Sequence, residues 1–557
     1  MSRAGKHVLM EQLVADGVRY VFGNPGTTEQ PFMDALQDHP ELEFILCLHE
    51  GVAVSMADAY ARATGKPAFV QLHIAPGLGN AIGMIFNATT SHSPLVVYAG
   101  QSATDALFQE PLLSGDLVGM ARPVTKWAFE IGHASDVAQA LRRAMKIADA
   151  PPQGPAFLSI PMDVMDQPTD APVMPTSFTR WRVRPEAAAI AEAAEILAKS
   201  ERPLVIIGDG IAACDAQDEI AMVAELIGAP IQSGYASEIN IASDHPLNAG
   251  SFPRTTYDAA TTIANAIAKH DVVLAAGTPF FRLAFPKPGG MEMGSARVIQ
   301  MDIDAWEIGK NIPGGLGIQG DLKAGLSELA GLLRAKQPKG ADERARAIGE
   351  ATRKKRDDAL AADRKTWDSV PISPARLMSE VAAALPPDAA VFEEAISNSL
   401  VLGRYITPHV GRYFRARGGG IGPGMPGTVG LQLAMPERKV VGVVSDGASM
   451  YSITALWTAA HHKIPAVFVV CNNSSYQILK QNVLDYLGPK QAGRKFVEMD
   501  LHDPPLRFDK LAEAMGVHGR RVEKPGDIRP ALDEALALGA PALIDVQIAE
   551  TVRRAAQ

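Results

Sequence analysis

Residues 439–475 read KVVGVVSDGASMYSITALWTAAHHKIPAVFVVCNNSS and contain two apolar, valine-rich runs. The first run, residues 440–444, is followed by Ser-Asp-Gly, and the second, residues 465–471, is followed by Asn-Asn-Ser-Ser. Short continuous apolar runs bounded by breakers are typical of parallel strands that are buried on both faces. The intervening residues 451–462 form the predicted crossover helix. The stretch therefore predicts a strand–helix–strand unit of a parallel α/β sheet.

Polar residues follow both predicted strands. Asp446 comes directly after the first strand, and Asn473 comes after the second. Ligands bind open α/β sheets at the carboxyl ends of the strands, and Mg²⁺ prefers carboxylate, amide and carbonyl oxygens beside phosphate oxygens. Gly447 allows a tight turn, and Ala448 and Ser449 open the next helix with N–H groups that are free to hold phosphate. The pattern predicts a metal and phosphate site at this edge.

The two strand ends resemble a known cofactor motif. The thiamine diphosphate (ThDP) motif reads GDG followed by NN, and this chain has SDG at 445–447 and NN at 472–473. Serine therefore replaces the first glycine of the motif. The resemblance implies that Asp446, Asn473 and the main-chain carbonyl of Ser475 hold Mg²⁺, which in turn holds the diphosphate of ThDP.

Length and composition describe a globular protein of several domains. The chain has 557 residues, of which 47% are hydrophobic and 21% are charged, and its formal net charge is −9. That charge argues against a nucleic-acid partner, which needs a basic face. Three widely separated cysteines, Cys47, Cys214 and Cys471, have neither metal-binding nor disulfide spacing. With no signal peptide visible and no apolar run near the roughly 20 residues that span a bilayer, we expect a cytoplasmic enzyme without a membrane partner.

Helical and strand patterns alternate along most of the chain. This alternation predicts an α/β fold with three doubly wound parallel-sheet domains, at 1–175, 186–335 and 371–557. Proline-rich residues 167–175 have the composition of a linker, and residues 336–370 form a charged connector that we expect to be a solvated helix. Further predicted elements are a glycine-rich turn at 76–80, a helix at 187–198 and strands at 204–207, 272–276 and 298–301.

Glu50 is the candidate for the carboxyl group that activates the cofactor. It follows the apolar run 44–48 and begins a helix of small residues. On composition alone, a glutamate favoured by the helix dipole explains the pattern equally well. The resemblance favours a functional role, because HEGVAVSMADAYAR at 49–62 is similar to the activating-glutamate segment of ThDP enzymes. Their chemistry needs a carboxyl group in an apolar, water-poor place against the aminopyrimidine ring.

The likeness to ThDP enzymes extends over nearly the whole chain. It is strongest to the benzoylformate decarboxylase family, within the wider group of 2-oxo acid decarboxylases and acetolactate synthases. The matching segments are VFGNPGT at 21–27, LH at 72–73, GN at 79–80, SHSPL at 91–95 and PQGP at 152–155. The resemblance implies that His73 relays protons near the reacting carbon and that Thr27, with Asn24 beside it, contacts the substrate carboxylate. Without it, a single histidine at a strand end is more often structural.

A glycine-rich segment of the third unit resembles the part of the family that bends the cofactor. The segment reads GGGIG at 418–422. The resemblance implies that Ile421, with Gly419 beside it, supports the ring junction of ThDP and brings its two reacting groups together. Ser397 matches a loop that holds the diphosphate.

Three positions depart from the benzoylformate decarboxylase pattern. Ala284 stands where the relatives have a second active-site histidine, and Ile478 and Asn482 replace small and aromatic pocket residues. The missing histidine removes an acid–base group, and the branched Ile478 narrows the predicted pocket. Benzoylformate itself is therefore in doubt as the substrate, whereas ThDP is not.

The expected activity is non-oxidative decarboxylation of a 2-oxo acid with ThDP and Mg²⁺. Alternatives are a carboligase resembling acetolactate synthase, an acyl-CoA lyase, a non-catalytic ThDP-binding scaffold and a flavin-dependent relative. In the family, the first domain of one subunit faces the third domain of another, so Glu50 and Asp446 are expected to meet across an interface in a homotetramer. Gly-Asp-Gly at 208–210 is expected to be only a turn, and His461 and His462 are expected not to chelate together.

Overall fold

The computed structural model describes residues 2–234, 237–253, 256–279, 282–290, 293–312, 315–407, 410–488 and 495–552. Three parallel six-stranded sheets organise these residues, which confirms the predicted fold class. Their strands fall inside the three predicted domain ranges, whose boundaries remain predictions. No helix among the described residues is long and apolar enough to cross a membrane.

The first sheet has strand order 2-1-3-4-6-5 when its strands are numbered along the chain. Its strands are Tyr20–Gly23, Glu43–Leu46, Ala68–Leu72, Leu95–Gln101, Trp127–Glu130 and Ala156–Pro161. The helices of this unit are Gly5–Ala15, Gln30–Leu36, Glu50–Thr64, Ile74–Thr90, Leu117–Ala121, Val137–Asp149 and Met162–Asp166. A short strand, Pro168–Thr169, lies within the predicted linker and pairs with Arg3–Ala4.

The second sheet has the order 3-2-1-4-5-6, so its strand order reverses between the first and fourth strands. Its strands are Pro203–Ile207, Ile231–Ser233, Asn248–Ser251, Val272–Ala276, Arg297–Asp302 and Leu316–Gln319. Its helices are Ala187–Ala198, Gly210–Ala213, Gln217–Ile227, Ala259–Ile267 and Leu322–Lys336. The connector contains the helix Ala341–Asp363, which buries only Ala341 and is therefore solvated as predicted.

The third sheet repeats the order 2-1-3-4-6-5 of the first. Its strands are Ala390–Glu394, Tyr413–Arg415, Val440–Ser445, Val467–Asn472, His518–Val522 and Ala542–Gln547. Its helices are Pro374–Ala384, Ser399–Tyr405, Gly424–Ala434, Asp446–Met450, Ala455–His461, Gln477–Leu487, Phe508–Ala514 and Ile528–Ala537. The two strands on either side of the predicted crossover, 440–445 and 467–472, are hydrogen-bonded neighbours.

Two local predictions were wrong. In place of the helix expected over 451–462, the structure has two helices, Asp446–Met450 and Ala455–His461. The residues between them form turns, in which the hydroxyl group of Ser452 donates a hydrogen bond to the carbonyl of Gly422. The turn expected at 76–80 lies inside the helix Ile74–Thr90. Proline is tolerated in a first helical turn, and tertiary packing overrides the low helix propensity of glycine.

A buried ion-pair cluster fixes the three units relative to one another. Arg62 of the first unit pairs with Glu238 of the second at 2.7 Å, and its side chain is 3% exposed. Arg417 of the third unit also pairs with Glu238. Breaking a buried pair by removing one partner typically costs about 3–5 kcal/mol, because the remaining charge stays buried. The helices Glu50–Thr64 and Gly424–Ala434 pack against each other beside this cluster.

Candidate active site

Asp446 and Asn473 lie together at the carboxyl edge of the third sheet. Asp446 Oδ2 accepts hydrogen bonds from the N–H groups of Asn473 at 3.1 Å and Ser475 at 3.4 Å, and Oδ1 accepts one from Gly447 at 2.8 Å. The Asp446 side chain is 3% exposed, and burial raises its pKa to about 6. A cation at this carboxylate would offset the cost of burying its charge. The structure thus places the Asp446 carboxylate against the backbone of Asn473, the other residue that the sequence singled out.

The turn that carries Asn473 and Ser475 is held by the C-terminal segment. Asn473 Oδ1 accepts a hydrogen bond from the N–H of Ser475, and its Nδ2 donates to Gln477. Ser475 Oγ donates to Glu550 Oε1 at 2.7 Å, and Gln477 exchanges two hydrogen bonds with Thr551. The shape of the turn is therefore set by contacts far along the chain. The short helix Asp446–Met450 buries Gly447, predicted to allow the tight turn, and Ala448 and Ser449, predicted to hold phosphate through their N–H groups.

Glu50 is buried at the start of its helix in the first unit. Its side chain is 6% exposed, and Oε2 accepts a hydrogen bond from Asn80 Nδ2 at 3.1 Å. A Cβ atom at Gly77 would lie 2.8 Å from Glu50 Oε1 and 3.3 Å from the Cβ of His73. A larger residue at position 77 would therefore collide with the Glu50 carboxyl group and crowd His73. The predicted water-poor surroundings of Glu50 agree with its burial.

Glu29 is a functional candidate that the sequence reasoning missed. Its side chain is fully buried, and Oε2 lies 2.8 Å from His73 Nδ1. The Glu29 carboxylate accepts four further hydrogen bonds, from the N–H groups of Gly26, Ile74 and Gly100 and from the hydroxyl of Thr28. Because an ionised carboxylate only accepts hydrogen bonds, the imidazole donates through Nδ1–H, which leaves Nε2 for another partner. The available signal was the segment 24–29, where Glu29 ends the loop that carries Asn24 and Thr27.

The loop 24–29 packs against the imidazole ring of His73. A Cβ atom at Gly26 would lie 2.0 Å from His73 Nδ1, so only glycine lets the ring pack there. Thr27 is exposed and Asn24 is half-buried in this loop. The contacts of this loop with His73 are made by Gly26 and Glu29, and the grouping of Asn24 and Thr27 with His73 remains a prediction.

The glycine loop, defined as residues 418–424 (GGGIGPG), lies at the third sheet near the first unit. Gly419 is exposed and Ile421 is half-buried. Asn87 of the first unit hydrogen-bonds both the N–H and the C=O of Gly420. Ser397 is half-buried in the short turn Ile396–Asn398, which follows the strand Ala390–Glu394 of the same sheet.

The predicted pocket residues Ile478 and Asn482 lie one helical turn apart on the helix Gln477–Leu487 and share a face. Asn482 Oδ1 is buried without a hydrogen-bond partner among the described residues. Ala284 is exposed in a loop of the second unit, and its neighbours Phe280 and Phe281 lie outside the described residues. An aromatic chain links that loop to the helix, since Phe285 contacts Tyr257 and Tyr257 contacts Tyr486 at ring distances of 5.5 and 5.3 Å.

The predicted residues thus form two sets within one chain. The first contains Glu50, His73 and the 24–29 loop, and the second contains the Asp446–Asn473 edge and the glycine loop. Among the described residues, no hydrogen bond or ion pair joins Glu50 to Asp446; the contact between Asn87 and Gly420 connects the two regions instead.

Three family models match successive parts of the chain. They describe a thiamine pyrophosphate enzyme, with its N-terminal TPP-binding domain at residues 3–115, its central domain at 190–329 and its C-terminal TPP-binding domain at 398–546. A benzoylformate decarboxylase of Pseudomonas aeruginosa is 34% identical over 96% of this chain and 97% of its own length. The chain belongs to the thiamine pyrophosphate enzyme family.

Other relatives of this ThDP enzyme extend the comparison. A probable acetolactate synthase large subunit of Methanocaldococcus jannaschii is 28% identical over 98% of this chain and 92% of its own. The structure of a ThDP-dependent 4-hydroxybenzoylformate decarboxylase from Rhodococcus jostii superposes with a TM-score of 0.84 at 31% identity, covering 99% of this chain and 100% of its own. The chain is therefore an enzyme of a family that acts on small carbonyl compounds.

The residues present fit ThDP and a divalent ion. One buried carboxylate, one amide oxygen and one main-chain carbonyl are hard oxygen ligands that leave room for diphosphate oxygens. The described residues contain no group of three or more His, Cys, Asp or Glu side chains able to hold a metal by themselves. A site with a single carboxylate suits an ion that also binds the cofactor, and Gly77 leaves the space beside Glu50 that a side chain would fill.

The motifs expected to be structural have structural partners. Asp209, in Gly-Asp-Gly 208–210, accepts hydrogen bonds from Ser237, Glu238 and Asn240 and so fastens a turn of the second unit. His462 Nε2 accepts the N–H of Leu46 at 3.0 Å, and burial lowers the pKa of its imidazole. His461 stacks on Trp457 instead. The two histidines therefore serve packing between elements.

Proposed function

We propose that this enzyme catalyses the non-oxidative decarboxylation of a 2-oxo acid with ThDP and Mg²⁺. The observation that carries the proposal is the contact of His73 with the fully buried Glu29, close in the fold to the buried carboxyl group of Glu50, since both Glu50 Oε1 and the Cβ of His73 lie beside Gly77. An imidazole held by a buried carboxylate and a second buried carboxyl group are acid–base groups of the kind that proton transfer needs. The 34% identity to a benzoylformate decarboxylase supports the same class of reaction.

The Asp446–Asn473 edge holds the cofactor. Asp446, Asn473 and the carbonyl of Ser475 would hold Mg²⁺, and the N–H groups at the start of the helix Asp446–Met450 would receive the diphosphate. The glycine loop would support the middle of the cofactor through Ile421. When bound, ThDP supplies a nucleophilic thiazolium carbon and an electron sink for the carbonyl substrate.

The side chains of the first unit hold and move protons. Glu50, which is buried, would hydrogen-bond the aminopyrimidine ring through its carboxyl group. His73 keeps Nδ1–H on Glu29, so Nε2 is the atom that gives or takes a proton near the substrate. Thr27 contacts the substrate carboxylate from the adjoining loop.

The two sets of residues meet when a second copy of the chain is present. We place Glu50 of one subunit opposite the Asp446 edge of its partner, in a dimer that pairs again to a homotetramer. Several large apolar side chains are exposed in the first and third units, and a contact between subunits would remove them from water. Examples are Phe86, Phe108, Leu112, Leu400, Tyr451 and Leu479.

A substrate panel tests the proposed reaction. Enzyme loaded with ThDP and Mg²⁺ is incubated with aliphatic and aromatic 2-oxo acids, with and without an aldehyde acceptor, and CO₂ and products are quantified. We expect CO₂ with one equivalent of aldehyde, and a preference for small substituents because Ile478 narrows the pocket. Coupled product in place of free aldehyde would favour carboligation. Two observations are compatible with that outcome: Ala284 stands where the relatives have an acid–base histidine, and acetolactate synthases are among the relatives. Absence of CO₂ release from every 2-oxo acid would refute the proposal.

The Glu29→Gln substitution is expected to lower kcat by about 10- to 100-fold while ThDP affinity stays unchanged, since an acid–base group that is present but misaligned loses part of its 10²–10⁴-fold contribution. Glutamine keeps the size of the side chain but can present N–H to His73 Nδ1, which reverses the tautomer of the ring. The measurement is kcat and KM on the best 2-oxo acid. Glu43→Gln, at an exposed glutamate of the same unit, is the control. Unaltered kcat would show that Glu29 does not orient His73.

A further inference from the structure

Three residues of the glycine loop have backbone conformations that favour glycine. Gly418, Gly419 and Gly422 have φ values of +81°, +97° and +113°. These are conformations that glycine adopts readily but that an unrestrained glycine segment also leaves readily. A surface that must keep a fixed shape under a bound cofactor therefore needs outside contacts to define it.

Asn87 supplies such a contact from the first unit. It lies near the end of the helix Ile74–Thr90 with its side chain 4% exposed. Its Nδ2 donates to Gly420 O at 2.9 Å, and its Oδ1 accepts from Gly420 N at 3.0 Å. A Cβ atom at Gly418 would lie 2.4 Å from Asn87 Cα, so the loop runs against the helix backbone. One amide thereby fixes both the position and the orientation of a single loop residue.

Glu394 supplies the second contact, from beneath the loop. It ends the strand Ala390–Glu394 with its side chain 2% exposed. Oε1 accepts the N–H of Gly422 at 2.8 Å, and Oε2 accepts the N–H of Gly424 at 2.7 Å. Burial raises the pKa of Glu394 to about 7, whereas the two N–H groups favour its ionised form. Hydrogen bonds to a carboxylate are stronger than those between neutral groups, so Glu394 restrains the backbone at Gly422 and Gly424.

Ile421 lies between the residues that these two side chains bind. Asn87 hydrogen-bonds Gly420, directly before Ile421, and Glu394 hydrogen-bonds Gly422, directly after Ile421. We propose that Asn87 and Glu394 are positioning residues that together keep the glycine loop in the shape against which ThDP binds. The proposal rests on the proposed function in one respect, namely that Ile421 is the residue beneath the bound cofactor.

Two substitutions test the proposal in the full-length protein. Asn87→Asp keeps the acceptor for Gly420 N but loses the donor to Gly420 O. Glu394→Gln keeps one acceptor oxygen but places an NH₂ group against the N–H of either Gly422 or Gly424. The first readout is amide hydrogen exchange of peptides covering 418–424, measured on the cofactor-free enzyme. The second is the dissociation constant of ThDP in the presence of MgCl₂, by calorimetry. Asn87→Ala, which adds no charge, replaces Asn87→Asp if that variant does not fold.

Two other substitutions are the controls. Thr90→Ala changes a residue on the same helix as Asn87, whose hydroxyl donates to Phe86 O, and Glu437→Gln changes an exposed glutamate of the same unit as Glu394. We expect faster exchange in the loop and about tenfold weaker ThDP binding for each test variant, as the loss of one good hydrogen bond implies, with neither effect in the controls.

Wild-type exchange rates in the loop of both test variants, or loop exchange that rises without a change in ThDP affinity, would overturn the proposal. An equal rise in loop exchange for the controls would also overturn it, because general destabilisation would then explain the effect. The exchange measurement needs neither cofactor nor substrate. Failure of the proposed decarboxylation in the substrate panel is therefore a separate result.

Discussion

Glu50→Gln is expected to leave ThDP bound and to slow turnover by about 10²–10⁴-fold, the usual contribution of a positioned acid or base. Glutamine has nearly the size of glutamate and can still accept the hydrogen bond from Asn80. It cannot supply the carboxyl proton that the aminopyrimidine ring requires. Binding and turnover should therefore separate. The measurements are kcat on the best 2-oxo acid and the ThDP dissociation constant by calorimetry.

A second readout for Glu50→Gln follows proton removal from the cofactor without any substrate. Exchange of the thiazolium C2 proton with deuterium, followed by NMR, should slow with kcat. Glu43→Gln controls for the loss of one carboxylate from the same unit. Undiminished turnover in the Glu50→Gln variant would remove Glu50 from the site, and a parallel loss of ThDP binding would make its role structural.

Asp446→Asn is expected to weaken ThDP binding in the presence of Mg²⁺ by about 100-fold or more, since outer-shell partners of a metal alone are worth roughly 10- to 100-fold. The substitution removes the carboxylate of the proposed metal site and places N–H opposite the amides of Asn473 and Ser475. The measurement is calorimetric titration of the cofactor-free protein with ThDP and Mg²⁺. Thermal unfolding adds a check, because a ligand that binds only the folded state raises Tm.

Asp509→Asn is the matched control for Asp446→Asn. Asp509 is a buried aspartate of the same unit that pairs with Arg507 at 2.7 Å and is not one of the residues proposed to hold the metal. We expect this variant to lose some stability and to keep wild-type ThDP affinity. Unchanged affinity in Asp446→Asn would contradict the proposed metal site, whatever its effect on Tm.

The sequence was most informative where local pattern and chemistry coincide. The strands 440–445 and 467–472 were predictable because both runs are continuous, apolar and bounded by breakers. Neighbouring parallel strands bring their carboxyl ends to one edge, so the approach of Asp446 to Asn473 followed from the pattern. The apolar strand before Glu50 and the small residues after it suited a buried carboxyl group, but only the resemblance to ThDP enzymes favoured that interpretation over a glutamate placed by the helix dipole.

The contacts missed by the sequence reasoning join distant segments. Glu29 is 44 residues from His73, and Asn87 is 333 residues from Gly420, so neither pairing leaves a trace in local periodicity. The helix at 74–90 was mistaken at its start because Pro76, Gly77 and Gly79 are poor helix formers. Position 77 needs glycine because a side chain there would collide with the Glu50 carboxyl group, and this contact is visible only in the folded chain.

Assembly across subunits is the central claim, and mixed assemblies test it most directly. Glu50→Gln and Asp446→Asn chains are co-expressed with different tags and purified through both tags. If each site combines Glu50 of one subunit with Asp446 of its partner, a mixed dimer contains one site with both native residues. We predict that the mixed assemblies regain activity, up to about half that of the wild type, although each parent is nearly inactive. Mixed assemblies as inactive as the parents would contradict the account.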